Sequence, residues 1–136
     1  MKEILLDTHV IIWALTDDRR LTASIREIIS DPENMIYYST ASLWEIAVKN
    51  YKAPEKCPYN EKDIDDLCQK SGYHCLNILA NHIKNLRHLK VKSGNVLANY
   101  DPFDRMLIAQ AKSQEFYILS HDSNFENYDE PCIITF

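Results

Sequence analysis

Residues 3–15 read EILLDTHVIIWAL, and this stretch decides the fold that we predict. Its first part, EILL at residues 3–6, is a short and unbroken apolar run, which is typical of a strand buried on both faces. Asp7 and Thr8 are residue types that begin helices, and the apolar residues at 10–15 suit the helix that would follow. The sequence therefore predicts a strand that passes directly into a helix, the repeating unit of α/β folds.

The alternation of strand and helix signals continues along the chain. Thr22 is a cap for a helix that ends near Asp31, because the residue before Pro32 avoids helical geometry. Further strands are predicted over residues 35–39, 73–79, 116–120 and 132–136. Four further helices are predicted: one that begins at Ser39, Thr40 or Ser42, one from Glu61 or Asp63 to near Gly72, one over residues 80–91, and one that begins at Asp101 and Pro102. We predict an α/β fold with three layers, α/β/α, around a mainly parallel sheet of about five strands. No repeat or linker divides residues 1–136, so we expect a single domain.

The composition is that of an ordinary globular protein. Hydrophobic residues make up 46% of the 136 residues and charged residues 26%, so neither a disordered nor a fibrous chain is indicated. No apolar run approaches the roughly 18 to 20 residues that cross a bilayer, and Asp7 and His9 interrupt the apolar start too early for a signal peptide. We therefore expect a cytoplasmic protein with no membrane partner.

The cysteines and the net charge restrict the function further. Cys57, Cys68, Cys75 and Cys132 show no Cys-x-x-Cys spacing, which argues against a zinc knuckle or a dithiol redox motif and favours reduced thiols. The net charge of −5 counts weakly against a nucleic-acid binder that relies on bulk charge. A divalent cation held by carboxylates would supply positive field where a phosphate binds, so the net charge does not decide the question.

Four acidic residues fall where strands turn into helices, the edge at which ligands bind in open α/β sheets. They are Asp7, Glu45, Asp104 and Asp122. Each has an ordinary alternative. Asp7 suits a helix cap, SLWE at 42–45 matches a capping box, DPFD at 101–104 is a weaker acidic version of one, and Asp122 suits an Asx turn. Several carboxylates in one pocket would repel one another unless a cation is present, and carboxylates suit Mg²⁺ and Mn²⁺. Together the acids predict a metal site for phosphodiester chemistry.

The sequence resembles the PIN-domain ribonucleases, and among them the VapC-type toxins of toxin–antitoxin pairs. The matching pieces are LLDTH at 5–9, SLWEI at 42–46, DPFDRMLIAQA at 101–111 and SHD at 120–122, in the expected order over nearly the whole chain. The resemblance implies a single PIN-like domain and an Mg²⁺- or Mn²⁺-dependent endoribonuclease, whose metal-binding acids are Asp7, Glu45, Asp104 and Asp122. Thr8 and Ser120 match positions that often supply a hydroxyl near the site. Asn99 departs from the family, which often has His there, and Asp101 is interpreted mainly as a cap.

The mechanism expected from this resemblance is attack of a metal-activated water on a phosphodiester. Asp7 and Asp104 are the best candidates for direct metal ligands, whereas Glu45 and Asp122 bind directly or through water. One ion or two remain possible, and two would lie about 3.5 to 4 Å apart. The resemblance also implies an RNA substrate, a cognate antitoxin that blocks the acidic pocket, and a homodimer.

Several other side chains are candidates for weaker roles. Arg105 is expected either to orient a carboxylate or contact a substrate phosphate, or to be an exposed arginine of the helix. Lys49, Lys52 and Lys56, with Tyr51 and Tyr59, are either an RNA-contacting strip or a solvated loop. His9 and His121 flank two of the acids, and Trp13 and Trp44 are expected in core or interface packing.

Two other functions stay open at this point. One is a non-catalytic PIN-like module that binds RNA or protein, against which retention of all four acids argues. The other is an aspartate-phosphorylating or phosphatase-type α/β domain, which also collects acids at strand ends. A haloacid-type site would need Asp-x-Asp where this chain has Asp7-Thr8-His9, and a receiver would need Lys where it has Ser120-His121-Asp122.

Overall fold

The computed structural model describes residues 1–92 and 101–136, and its centre is a five-stranded parallel sheet. The strands are β1 (Glu3–Leu6), β2 (Met35–Ser39), β3 (His74–Leu76), β4 (Tyr117–Ser120) and β5 (Ile133–Thr135). The helices of the described residues are α1 (Thr8–Thr16), α2 (Ala23–Ser30), α3 (Thr40–Lys52), α4 (Glu61–Lys70), α5 (Ala80–Asn85) and α6 (Pro102–Gln114). The strand order is β3-β2-β1-β4-β5, so β1 lies in the middle. The predicted α/β fold with a parallel sheet is confirmed.

Strand β1 shows how the two faces of the sheet are covered. Ile4 and Leu6 pack in one core with Val10 of α1, whereas Leu5 packs in a second core with Leu107 of α6. Successive side chains of a strand point to opposite faces, so a central strand with helices on both sides needs an unbroken apolar run. The run at residues 3–6 meets that need, and the predicted three-layer arrangement is confirmed.

Three predicted helix caps are present. Asp7 precedes α1 and accepts a hydrogen bond from the Thr8 amide, and Thr22 precedes α2 and accepts one from the amide three residues on. Asp101 precedes α6, where Pro102 occupies the first helical position, and it accepts from two successive amides. These side chains satisfy N–H groups that have no partner within the helix.

The capping box predicted at residues 42–45 is wrong. Strand β2 keeps its pairing with β3 as far as Ser39, and α3 begins at the next residue. Ser39 is therefore the cap, and its hydroxyl accepts from the Ala41 amide at 2.9 Å. Ser42 and Glu45 lie inside the helix, so the Glu45 side chain is available for contacts outside its own helix.

Two predicted elements are shorter in the structure. β3 spans His74–Leu76 rather than 73–79, because it lies at the edge of the sheet and pairs only with the end of β2. α5 ends at Asn85 and tightens into a 3-10 turn at Leu86–His88, which brings Leu89 into the second core. Asn99 lies outside the described residues. Within the described ranges, no helix has the length and apolar character needed to span a membrane.

Candidate metal-binding active site

The sheet places the four predicted acids on neighbouring elements. Asp7 directly follows β1, and its amide donates to the Leu119 carbonyl of the adjacent strand β4 at 3.0 Å. Asp122 follows β4 by two residues, and Glu45 and Asp104 lie on α3 and α6. The chain leaves β1 towards β2 on one side, whereas β4 lies on the other side, so Asp7 sits where the strand order reverses. Such a switch point is the usual ligand site of open α/β sheets.

Hydrogen bonds join two of these acids through one hydroxyl. Asp7 accepts from the Thr8 amide at 2.7 Å through Oδ1 and from the Ser120 hydroxyl at 2.8 Å through Oδ2. The same Ser120 oxygen accepts from the Asp122 amide at 3.0 Å, and Asp122 Oδ1 in turn accepts from the Asn124 amide at 2.9 Å. Asp122 thus makes the predicted Asx-type bond while its backbone is tied to Asp7 through Ser120.

Glu45 is held by a hydroxyl and by a cation. The Thr8 hydroxyl donates to Glu45 Oε1 at 2.7 Å and is also 2.9 Å from the Ser42 hydroxyl. Lys49, one helical turn later, donates from Nζ to Glu45 Oε2 at 2.5 Å. Both carboxylate oxygens are therefore oriented, and Thr8 links Glu45 to the Asp7 end of the site.

Burial and mutual repulsion act on the acids together. Asp7, Glu45 and Asp104 are 3%, 4% and 7% exposed. Burial raises the pKa of Asp104 to about 8, and the nearby carboxylates of Asp7, Asp101, Asp122 and Glu45 add to that rise. Burial also raises the pKa of Asp7 to about 6, although its bonds from Ser120 and Thr8 oppose the rise. Asp104 therefore lies within electrostatic reach of the other three predicted acids.

The chemistry of these donors fits a divalent cation. In residues 1–92 and 101–136, no three His, Cys, Asp or Glu side chains are gathered closely enough to hold a metal ion. The carboxylates would have to approach further to ligate one. Their oxygens are the hard ligands that Mg²⁺ and Mn²⁺ prefer, and a cation would counter the burial and the repulsion that together raise the pKa of Asp7 and Asp104.

The other predicted residues are placed differently. Arg105 is 7% exposed, so its interpretation as an exposed helix arginine is wrong. Its Nη2 donates to the Leu86 carbonyl at 2.7 Å, and its guanidinium lies 5.8 Å from the centre of the Tyr128 ring. His9 and His121 are exposed, and both contact the buried Trp13 ring, at 6.1 and 5.3 Å between ring centres.

Two features next to the acids were not predicted from the sequence. One is the contact of Lys49 with Glu45, for which the four-residue spacing of opposite charges was an available signal. The other is Trp44, which is 60% exposed and meets the Phe103 ring edge-on at 4.9 Å between centres. No local signal reveals this pair, because it depends on how α3 and α6 pack against each other.

The comparisons with known proteins agree on the fold. The family model described as PIN domain matches residues 4–131 of the chain. No curated protein has a significant sequence match. Solved structures are similar over almost the full length, at identities that support a shared fold alone.

Three of these structures illustrate the similarity. The VapBC2 complex of Rickettsia felis bound to a promoter DNA fragment matches with a TM-score of 0.67 at 14% identity, over 98% of this chain and 97% of that one. The DNA-bound VapBC of Salmonella typhimurium matches with a TM-score of 0.66 at 16% identity, over 99% and 98%. A VapC toxin of Mycobacterium tuberculosis, described as cleaving the sarcin-ricin loop, matches with a TM-score of 0.55 at 16% identity, over 90% and 92%.

Proposed function

The chain belongs to the PIN domain family, and from this premise we propose that it is a metal-dependent endoribonuclease. The observation that carries the proposal is the convergence of buried Asp7 and Asp104 with Glu45 and Asp122 at the switch point of the sheet. Buried carboxylates that raise one another's pKa are arranged for a role other than stability, because their repulsion destabilises the fold.

The proposed cofactor is Mg²⁺ or Mn²⁺, held by Asp7 and Asp104, with Glu45 and Asp122 as further direct or water-mediated ligands. When bound, such an ion lowers the pKa of water and stabilises charge on a phosphate. The chain's own residues prepare the site: Ser120 fixes the direction of the Asp7 carboxylate, and Thr8 does the same for Glu45. These hydroxyls act as positioning residues, because an oriented ligand holds an ion better than a freely rotating one.

The biological role that we propose is that of the toxin in a toxin–antitoxin pair. Similar folds occur in VapBC complexes and in a toxin described as cleaving the sarcin-ricin loop. On this proposal the chain is a single-domain cytoplasmic protein that forms a homodimer. A small cognate antitoxin would cover the four acids, and RNA would be the substrate.

The proposal is tested with Asp7→Asn and Asp104→Asn, which keep side-chain size and remove the charge. RNA cleavage in Mg²⁺ or Mn²⁺ is expected to fall by more than about 100-fold in each, because even the outer partners of metal ligands contribute about 10- to 100-fold. The matched control is Asp66→Asn on α4, since Asp66 is exposed and paired with Lys62. Circular dichroism verifies the fold of every variant.

Two results would contradict the proposal. Full cleavage by either site variant would exclude these acids from the chemistry. A wild-type protein that binds RNA but does not cleave it in either metal would favour the non-catalytic RNA-binding module instead.

A further inference from the structure

A groove runs along the outside of α1 and α3, next to the four acids. It has a volume of about 580 Å³. Apolar side chains form much of its wall, and four cationic ones line it as well: Arg20, Lys49, Lys52 and Lys56. We call it the lysine groove. Tyr59, which is 38% exposed, lines the same groove. Tyr51 is 89% exposed and does not line the groove, but lines a neighbouring depression that shares Lys52 with it.

The lysine groove is continuous with the acidic site. Thr8 and Lys49 both line the groove, and both contact Glu45, at 2.7 and 2.5 Å. Lys52 follows Lys49 by one helical turn, and residues 45–52 of a helix span about 10 Å at 1.5 Å per residue. A ligand lying along α3 would therefore reach the acids at the end of the groove where Glu45 is found.

The charge of the groove is opposite to that of the whole chain. The chain carries −5, whereas Asp18 is the single carboxylate among the described residues that line the groove. Asp18 is already paired with Arg20 at 2.7 Å. Lys52 and Lys56 are exposed, and neither forms an ion pair with a residue in the described part of the chain. Their charges are available to an anionic ligand.

We propose that the lysine groove binds the ribose-phosphate backbone of single-stranded RNA and leads it to the four acids. This inference rests on the proposed ribonuclease function and adds the path of the substrate. Sites for single strands combine a cationic groove with aromatic side chains on which bases stack, and Tyr59 supplies such a ring beside the lysines. The position of the cations explains how an acidic protein binds a polyanion: the positive field is confined to the approach to the site.

The test measures binding of a fluorescently labelled single-stranded RNA by anisotropy in Mg²⁺. All proteins carry Asp104→Asn, so that binding is observed without cleavage. The double variant K52A/K56A is compared with K70A/K84A, which removes the same charge from exposed positions on α4 and α5. We expect K52A/K56A to weaken binding about 10-fold and to reduce the salt dependence of log K by about 1.4, since each phosphate contact on a single strand contributes about 0.7. The K70A/K84A control should do neither.

A second pair of variants tests the aromatic contribution. Y59A should weaken binding by about 5-fold or more, because stacking contributes about 1 to 3 kcal/mol per base. Y51A, which removes a ring outside the groove, should weaken binding less than Y59A does. A hairpin stem of the same sequence should bind more weakly than the single strand.

Equal losses in the groove variants and their controls would overturn the inference. The inference would also be overturned if K52A/K56A kept its RNA affinity but no longer bound a polyglutamate peptide. The groove would then be a site for an acidic protein segment. Cleavage is measured separately with Asp104 intact. Normal cleavage by K52A/K56A would contradict the proposed path of the RNA and leave the proposed ribonuclease function standing. A wild-type protein that binds RNA through the groove but does not cleave it would contradict the ribonuclease function and support RNA binding by the groove.

Discussion

Among single residues, Asp104 is the side chain on which burial and repulsion act most strongly. The pKa of its carboxyl rises from 3.8 to about 8 because the group is buried and faces four other carboxylates. A carboxyl with a higher pKa in the folded state than in the unfolded chain binds its proton more tightly when folded. Its protonated form therefore stabilises the fold below about pH 4, and this contribution is lost as the pH rises to about 8.

We therefore predict that the metal-free protein becomes less stable between pH 4 and pH 8.5 and that Asp104→Asn reduces this loss. Each pKa unit corresponds to about 1.4 kcal/mol, so the variant should be more stable than the wild type by a few kcal/mol at pH 8.5 and equally stable near pH 4. Urea unfolding in EDTA at both pH values measures the difference. Asp66→Asn is the control, and a parallel pH dependence in wild type and Asp104→Asn would contradict the prediction.

The sequence predicted the four acids and, through the resemblance, the hydroxyls of Thr8 and Ser120 that contact Glu45 and Asp7, but not the other contacts around them. Asp7, Glu45, Asp104 and Asp122 were found because their types and positions follow from strand ends and helix starts. The burial of Arg105 was missed because its partner Leu86 lies in the 3-10 turn after α5, and no local pattern fixes that packing. Lys49 was expected in an RNA strip or a solvated loop, whereas its contact with Glu45 follows from their four-residue helical spacing.

Among the secondary-structure elements, the start of α6 combines a structural and an electrostatic role. Asp101 accepts from the Phe103 amide at 2.8 Å and from the Asp104 amide at 3.2 Å, so it caps the helix as predicted. Its charge also raises the pKa of Asp104. The same carboxylate therefore stabilises the helix and adds to the repulsion within the site.

Two variants separate these effects. Asp101→Ala should cost about 1 kcal/mol of unfolding free energy at pH 5, because the cap is lost. Asp101→Asn keeps a capping oxygen, so it should be close to wild type at pH 5 and more stable than Asp101→Ala at every pH. Urea unfolding at pH 5 and pH 8.5 provides the measurement. Equal destabilisation by the two variants would show that the cap does not act through this oxygen.

The order and type of the elements were predictable, whereas several of their ends were not. Apolar runs and caps identified β1, α1 and α6, because these signals lie within a few residues of each other. For the start of α3 the sequence left Ser39, Thr40 and Ser42 open, and the structure has Ser39 as the cap because β2 stays paired with β3 as far as that residue. That pairing joins residues distant in the sequence, so no local pattern could choose among the three.

At the scale of the whole molecule, the strand order creates the site. The positions of the acids at strand ends were visible in the sequence, but the order β3-β2-β1-β4-β5 was not. That order brings the end of β1 beside the end of β4, and hence Asp7 beside Ser120 at 2.8 Å. The fold thus holds together charges that repel one another, at a cost in stability that a bound cation would remove.

Metal binding should therefore stabilise the entire fold. A ligand that binds only the folded state at 100 times its dissociation constant contributes about 2.7 kcal/mol, which for a chain of 136 residues corresponds to a rise of about 10 °C in Tm. The rise should be larger at pH 8.5 than at pH 5, since protons on Asp104 and Asp7, with pKa values of about 8 and about 6, compete with the ion at the lower pH.

Thermal unfolding with MnCl₂ or with EDTA at the two pH values measures this effect. Asp7→Asn should lose most of the rise, because it removes a charge from the buried centre of the site, and the exposed control Asp66→Asn should retain it. An equal rise in wild type and Asp7→Asn would mean that the ion binds elsewhere. A rise in Tm that is larger at pH 5 would contradict the prediction. It would mean that protons and the metal ion do not compete for the same carboxylates.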